Sequence, residues 1–203
     1  MRTTTNSRRE PHPPGTGLED RYLELNLPGD KTRQMFWAAF TYGHYTPLVP
    51  IRQRTEKERV DGRDRLGFNS AQYVKEIVVP YLLPLYEECG GANAGIQTIE
   101  DGSRVHTSRY YNKSRRMNGI SRMPWPANSG DLNPIENVWA LFKRRFREAC
   151  RDPGRRPRNK KKLIELAQVV WEELPWERIY KWIDTMPTRI TTVIRRGEGH
   201  TKW

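Results

Sequence analysis

Thirty-four residues separate Asp101, at the end of a stretch that reads as a strand, from Glu136, at the start of a helix. With that spacing, a short crossover can bring the helix start back to the strand end. Residues 94–100 supply the strand-like run, and Gly102 lets the chain turn directly after Asp101. Downstream, Asn133 reads as an N-cap, Pro134 as the first helical position and Glu136 as the third. The apolar stripe Ile135, Val138, Trp139, Phe142 and Phe146 continues that helix at a 3.6-residue period. A helix around 107–116 and a short strand at 120–123 fill the crossover, with a loop at 124–131.

Each acid has an ordinary explanation when taken alone. Asn133 to Glu136 fits a capping box, Asp101-Gly102 is a common turn dipeptide, and His106 is the kind of residue found at the surface or at a core edge. Together they carry more weight. Two carboxylates converging on a strand end and a helix start repel each other unless a cation lies between them, and hard divalent cations take oxygen ligands of this type. Ala140, one turn beyond Glu136, leaves room beside the acid.

A length of 203 residues suits one domain with a single core. Because only 35% of residues are hydrophobic and 30% are charged, that core must lean on its seven Trp, nine Tyr and five Phe. The net charge of +12 favours a polyanionic partner. The surplus is concentrated in 143–162, where eleven basic residues face only Glu148 and Asp152. Lys143, Arg144, Arg145, Arg147, Arg155, Arg156, Arg158, Lys160, Lys161 and Lys162 are therefore the candidate DNA contacts, against the alternatives of a solvated loop or a nuclear-import signal. Cys89 and Cys150 stand alone, which points to neither a zinc site nor a disulfide framework and suits a reducing compartment. No apolar run is long enough for a signal peptide or a membrane span.

Residues 1–32 read as a flexible arm and 33–203 as the folded domain, with a basic insertion at 143–162. Met35 to Phe40 and Pro47 to Ile51 flank Gly43 as a β-hairpin. Asn69 or Ser70 caps a helix carrying Tyr73, Ile77, Tyr81 and Leu85, which Pro80 and Pro84 are expected to kink or end. Three more apolar stripes follow: Leu163, Leu166, Val170 and Trp171; then Trp176, Ile179 and Ile183; then Ile190 to Ile194, with Gly197 as a C-cap.

The stretch Trp125-Pro126-x-x-Ser129-x-Asp131-Leu132-Asn133-Pro134-Ile135-Glu136-Asn137-Val138-Trp139 resembles the signature of the mariner-superfamily DDE transposases. Asp101-Gly102 with His106 is similar to that family's second-acid segment, and the acid spacing matches its 34-residue class. Residues 35–51 resemble its central hairpin, and 185–190 with 199–203 its C-terminal helix and tail. The resemblance implies an RNase H-like α/β fold with a central mixed sheet flanked by helices. It implies carboxylates holding Mg²⁺, with Mn²⁺ as a substitute, for attack on a DNA phosphodiester. Asp101 and Glu136 would be the catalytic and metal-binding acids and His106 a supporting residue. Double-stranded DNA would be the partner, the chain would pair with itself or with a full-length relative, and the location would be nuclear in a eukaryote.

Two departures qualify this picture. The family's first acid lies on an early strand, yet Asp20 and Asp30 are the only aspartates ahead of Met35 and neither follows a β-forming run. No helix-turn-helix segment precedes the domain either. The expectation is thus a shortened transposase domain lacking its first strand, with weakened metal binding and impaired chemistry. The alternatives are a non-catalytic nuclear DNA-binding protein and an active nuclease whose missing acid comes from Asp20 or a second chain.

Overall fold

A computed structural model describes residues 23–26, 33–55, 67–100, 102–124 and 133–196. Strands β1 (Leu23–Asn26), β2 (Arg33–Trp37) and, later in the chain, β5 (Val49–Ile51) form an antiparallel sheet in the order β1-β2-β5. Between β2 and β5, the short strands β3 (Phe40–Thr41) and β4 (His44–Tyr45) make a separate two-stranded ribbon. Its turn includes Gly43 at φ 81°, a left-handed conformation that glycine adopts without a Cβ penalty. The expected hairpin over 35–51 is therefore present, with the ribbon at its tip. Ordered structure also begins ahead of residue 33, because β1 pairs along its whole length with β2.

Side-chain alternation along β2 explains why one small sheet serves two cores. Phe36 joins Leu23 and Leu25 on one face, against the helices that follow residue 133. Trp37 joins Val49 and Ile51 on the other, against the helices between residues 70 and 117. The fold is thus mixed α/β with a helical layer on each side of the sheet.

On the Trp37 side, Asn69 caps α1 (Ser70–Tyr73) by accepting from Gln72 N at 2.8 Å, as the sequence indicates. The helix then passes through a π-helical stretch, Val74–Leu82, into α2 (Leu83–Glu88). Pro80 does not end it. Proline lacks an N–H and its ring collides with the carbonyl four residues back, but a π-turn bonds five residues back and is wide enough to take the ring. Pro84 lies in the first turn of α2. A 3₁₀ turn at Gly91–Ala94 follows, flanked by Gly90 and Gly95 at φ 89° and 71°.

Those left-handed glycines change the reading of 94–100 as a strand. Extended structure starts only after Gly95, and its pairing is a single parallel bridge between Thr98 and Arg122. Thr98 N donates to Ser121 O at 2.9 Å and Met123 N to Thr98 O at 3.0 Å. The short helix α3 (Arg104–Thr107) leads into α4 (Arg109–Met117), which Ser108 caps by accepting from Tyr111 N.

On the Phe36 side lie α5 (Pro134–Ala149), α6 (Lys160–Glu172), α7 (Trp176–Asp184) and α8 (Met186–Arg196). The sequence presents 143–162 as one basic insertion, but the structure divides it. Buried Phe142 and Phe146 hold α5 in register as far as Ala149, so Lys143, Arg144, Arg145 and Arg147 are helical. Asn159 caps α6 by accepting from Lys162 N at 2.9 Å, which places Lys160, Lys161 and Lys162 in its first turn. Only the residues between the two helices are a loop. Gly197, expected as a C-cap, lies outside the described residues.

Trp171 sits at the centre of this layer. It is fully buried, its indole N–H donates to Thr46 O at 2.8 Å, and its ring meets Trp139, Phe142, Tyr45 and Trp176. Trp171→Ala should cost about 3–5 kcal/mol in urea unfolding, from the cavity and the orphaned carbonyl. Val169→Ala, on the exposed side of the same helix, should stay within about 0.5 kcal/mol of the parent.

Candidate functional site

A cavity of about 310 Å³ opens where the end of β2, the 96–100 segment and the start of α5 meet. Its walls include residues 37–41, Tyr73 and Tyr86 from the helix opposite, residues 96–100, His106, residues 133–136 and Trp139. The candidate acid Glu136 and the candidate His106 therefore line one space. Asp101 lies outside the described residues, but Glu100, the residue before it, is part of the same wall.

Glu136 is half-buried in the first turn of α5. Its backbone N–H donates to Asn133 O at 3.1 Å, while the Asn133 side chain accepts from Ile135 N at 3.3 Å. Asn133 is thus the N-cap that the sequence indicates, its side chain serving the second helical N–H. The helix N-terminus also favours a negative charge at this position.

Glu100 went unnoticed in the sequence because nothing in its spacing sets it apart from Asp101. It is only 7% exposed, and three side chains from separate segments converge on it. Tyr111 Oη donates to Glu100 Oε1 at 2.5 Å and Tyr73 Oη to the same oxygen at 3.3 Å. Arg122 Nε lies 3.7 Å from Oε2, and Arg122 Nη2 donates to the Glu100 carbonyl at 3.4 Å. Burial, then the charge and hydrogen bond of Glu100, push the Tyr111 hydroxyl well above its ordinary value of 10.0. Glu100 is a carboxylate already engaged in holding the site's wall together.

His106 is 7% exposed, which places it inside the site and not at the surface. Its ring lies 4.8 Å from that of Tyr73 and 6.0 Å from that of Tyr111, and its carbonyl accepts from Arg122 Nη1 at 3.2 Å. The α5 side is braced by α8. With its amide oxygen turned toward Arg189, Asn137 accepts from Nη2 at 2.7 Å and Nη1 at 3.0 Å. Arg189 is 4% exposed and donates through Nε to Thr185 Oγ1 at 2.9 Å, so the helix after Thr185 anchors the residue next to Glu136. Among the described residues, no three His, Cys, Asp or Glu side chains gather as a metal-ligand set.

The ten candidate basic residues are all exposed. Two are partly neutralised, with Arg155 Nη2 3.4 Å from Glu173 Oε2 and Lys162 Nζ 2.7 Å from Glu165 Oε2. No helix among the described residues is long and apolar enough to cross a membrane.

These features define a mixed α/β domain with an acid-lined cavity at a helix start and a strongly basic exterior. No protein-family model matches the chain. It is 31% identical over 169 residues to the transposable element Tc1 transposase of Caenorhabditis elegans, covering 83% of this chain and 54% of that protein. Against the Tcb2 transposase of Caenorhabditis briggsae it is 34% identical over 104 residues, covering 51% and 36%. The Tcb1 transposase of Caenorhabditis briggsae is 28% identical over 114 residues, covering 55% and 40%. The chain belongs to the Tc1/mariner family of transposases, and it matches about half or less of the length of these relatives.

The Glu100 network predicts a pH effect. Because the folded state holds the Tyr111 proton more tightly than the unfolded chain, this contribution is whole below pH 10.0 and is lost as pH rises toward the folded-state value. Tyr45, pushed up to about 12 by burial and by Glu172, acts in the same direction. Tyr111→Phe should cost about 1–3 kcal/mol at pH 7, because buried Glu100 loses its shortest donor. Urea unfolding followed from pH 7 upward should also show a shallower alkaline loss in this variant than in the parent.

Proposed function

We propose that this chain carries the catalytic portion of a DNA transposase, acting on DNA phosphodiesters through a metal-dependent site of RNase H-like design. One observation carries the reading. The same cavity has Glu136 in one wall and, in another, the residue directly before Asp101. Carboxylate oxygen donors at a helix start suit a hard divalent cation. Asp101 and Glu136 are the residues that would hold Mg²⁺ or Mn²⁺, which when bound would supply Lewis-acid stabilisation and an activated oxygen nucleophile.

The remaining roles belong to the chain's own residues. Glu136 gains from the helix dipole and is steadied through its neighbour Asn137 by Arg189. Glu100 fixes the strand end leading into Asp101 by engaging Tyr73, Tyr111 and Arg122, and is therefore a positioning residue. His106 steadies the wall between those tyrosines. The exposed cations of α5, α6 and their connecting loop bind phosphates without regard to sequence. The same basic cluster would serve as a nuclear-import signal in a eukaryotic cell.

A second reading draws on the exposed basic residues of α5, α6 and their loop, which need no metal to hold phosphates: a transposase-derived nuclear protein that binds DNA without cutting it. Nicking of supercoiled DNA separates the two. With Mg²⁺ or Mn²⁺, the first reading expects nicking that Glu136→Gln lowers by at least about 10–100-fold, the scale of losing a residue that merely supports a ligand. Nicking no greater than that of Glu136→Gln would leave the second reading. DNA affinity should be steeply salt-dependent under either. Replacing Arg155, Arg156 and Arg158 with Ala should flatten log Kd against log salt by up to about 0.9 per lost phosphate contact, measured by fluorescence anisotropy.

A further inference from the structure

The crossover between the two candidate acids carries a charge pattern that the cavity does not use. Residues 102–124 contain Arg104, Arg109, Lys113, Arg115, Arg116 and Arg122 and no acidic residue. Arg122 and Arg115 turn inward, the first onto Glu100 and the second donating to Ile120 O at 2.8 Å. Arg109, Lys113 and Arg116 do not. They are exposed at i, i+4 and i+7 of α4, so they form one row along the helix. None of the three forms an ion pair among the described residues, whereas Arg155 and Lys162 on the other basic surface do. Tyr110, 56% exposed beside this row, adds a hydroxyl of the kind that donates to phosphate oxygens.

The position of the row matters as much as its charge. Through Tyr111, α4 packs into the Trp37-side core, while α5 and α6 pack into the Phe36-side core. The two basic surfaces therefore lie on opposite layers of the sheet, and one does not extend the other. The seven steps from Arg109 to Arg116 span about 10 Å at 1.5 Å per residue. That matches the rise of about three base pairs in a duplex.

We propose that the outward face of α4 is a second duplex-DNA backbone-binding surface, so that the chain can hold two DNA segments, one on each helical layer. The proposal rests on the reading of DNA as the partner, but not on cleavage. Three exposed cations in a row, with no acid on the helix, fit a polyanion of regular spacing, and contacts of this kind position a duplex without reading its sequence. Because all three side chains are exposed, removing them leaves the buried face of α4 intact.

The test uses the whole chain without added metal, with 30-base-pair duplexes in a KCl series. One anisotropy series measures the salt slope, and a second assay mixes donor- and acceptor-labelled duplexes to detect bridging. The variants are R109A/K113A/R116A, R155A/R156A/R158A and the charge-preserving R109K/K113R/R116K, each checked for an unchanged unfolding midpoint. The first should lower the slope by about 2–3, from about 0.9 per contact, and abolish bridging while still binding one duplex. The charge-preserving variant should keep both properties.

An unchanged slope and intact bridging in R109A/K113A/R116A, with a flattened slope in R155A/R156A/R158A, would overturn the α4 proposal and leave DNA as the partner. So would loss of binding to phosphatidylserine vesicles in the α4 variant with DNA binding unaltered. Absence of salt-dependent DNA binding in the parent chain would remove the underlying reading and this proposal with it.

Discussion

The structure depends on the register of β2. Phe36 must face α5, α6 and α7, while Trp37 must face the α1 to α4 layer. Since side-chain direction alternates with every residue, a slip of one position would exchange the two sets and leave each core with the wrong partner. Buried Gln34 ties this register down, its amide donating to Ile51 O at 2.9 Å and Met35 O at 2.6 Å. The same strand runs on into residues 37–41, which form a wall of the cavity, so the site inherits its geometry from this partition.

Two glutamates in one cavity have opposite physical situations. Glu100 is buried, and the desolvation of its charge is offset by two tyrosine hydroxyls and a guanidinium that come from α1, α4 and the bridge segment at Arg122. Those three groups are themselves structural: Tyr73 and Tyr111 belong to the core, and Arg122 is the bridge partner of Thr98. Tyr86 completes the frame, its hydroxyl accepting from Ser121 N at 3.0 Å. Glu136 is only half-buried, stands at a helix start and lines the cavity. The contrast separates a carboxylate buried in the frame of the cavity from one placed at its helix-start wall.

Much of this was legible in the sequence, for reasons that differ by segment. The stripes of α5 and α6 are strict and long, so periodicity located both helices and their buried residues. The N-caps at Asn69 and Asn133 followed from local chemistry. Glu100 could not be found this way, because its importance lies in contacts with Tyr73, Tyr111 and Arg122, which the sequence places 27, 11 and 22 residues away. The 94–100 run misled because strand propensity was counted across Gly95, whose backbone is left-handed. Pro80 misled because a π-helical stretch relieves the clash that proline makes in an α-helix. The charge of 143–162 was visible, but its division into a helix end, a loop and a helix start was set by where Phe142, Phe146 and Leu163 are buried.

On the proposed function, an acid-lined cavity would repel the phosphates of its substrate, so cations that attract DNA without neutralising the site would have to lie away from it. Along α5, Arg145 lies nine residues beyond Glu136, or about 14 Å at 1.5 Å per residue. The Debye length at 0.1 M salt is about 10 Å. A phosphate held near Arg145 is therefore largely screened from Glu136, and its binding draws little on the state of the cavity. Affinity and chemistry are separable in such a layout, and a chain of this kind could lose either one while keeping the other. On the proposed function, the charge asymmetry of the sequence would bear on retention of DNA, and the cavity alone on what is done to it.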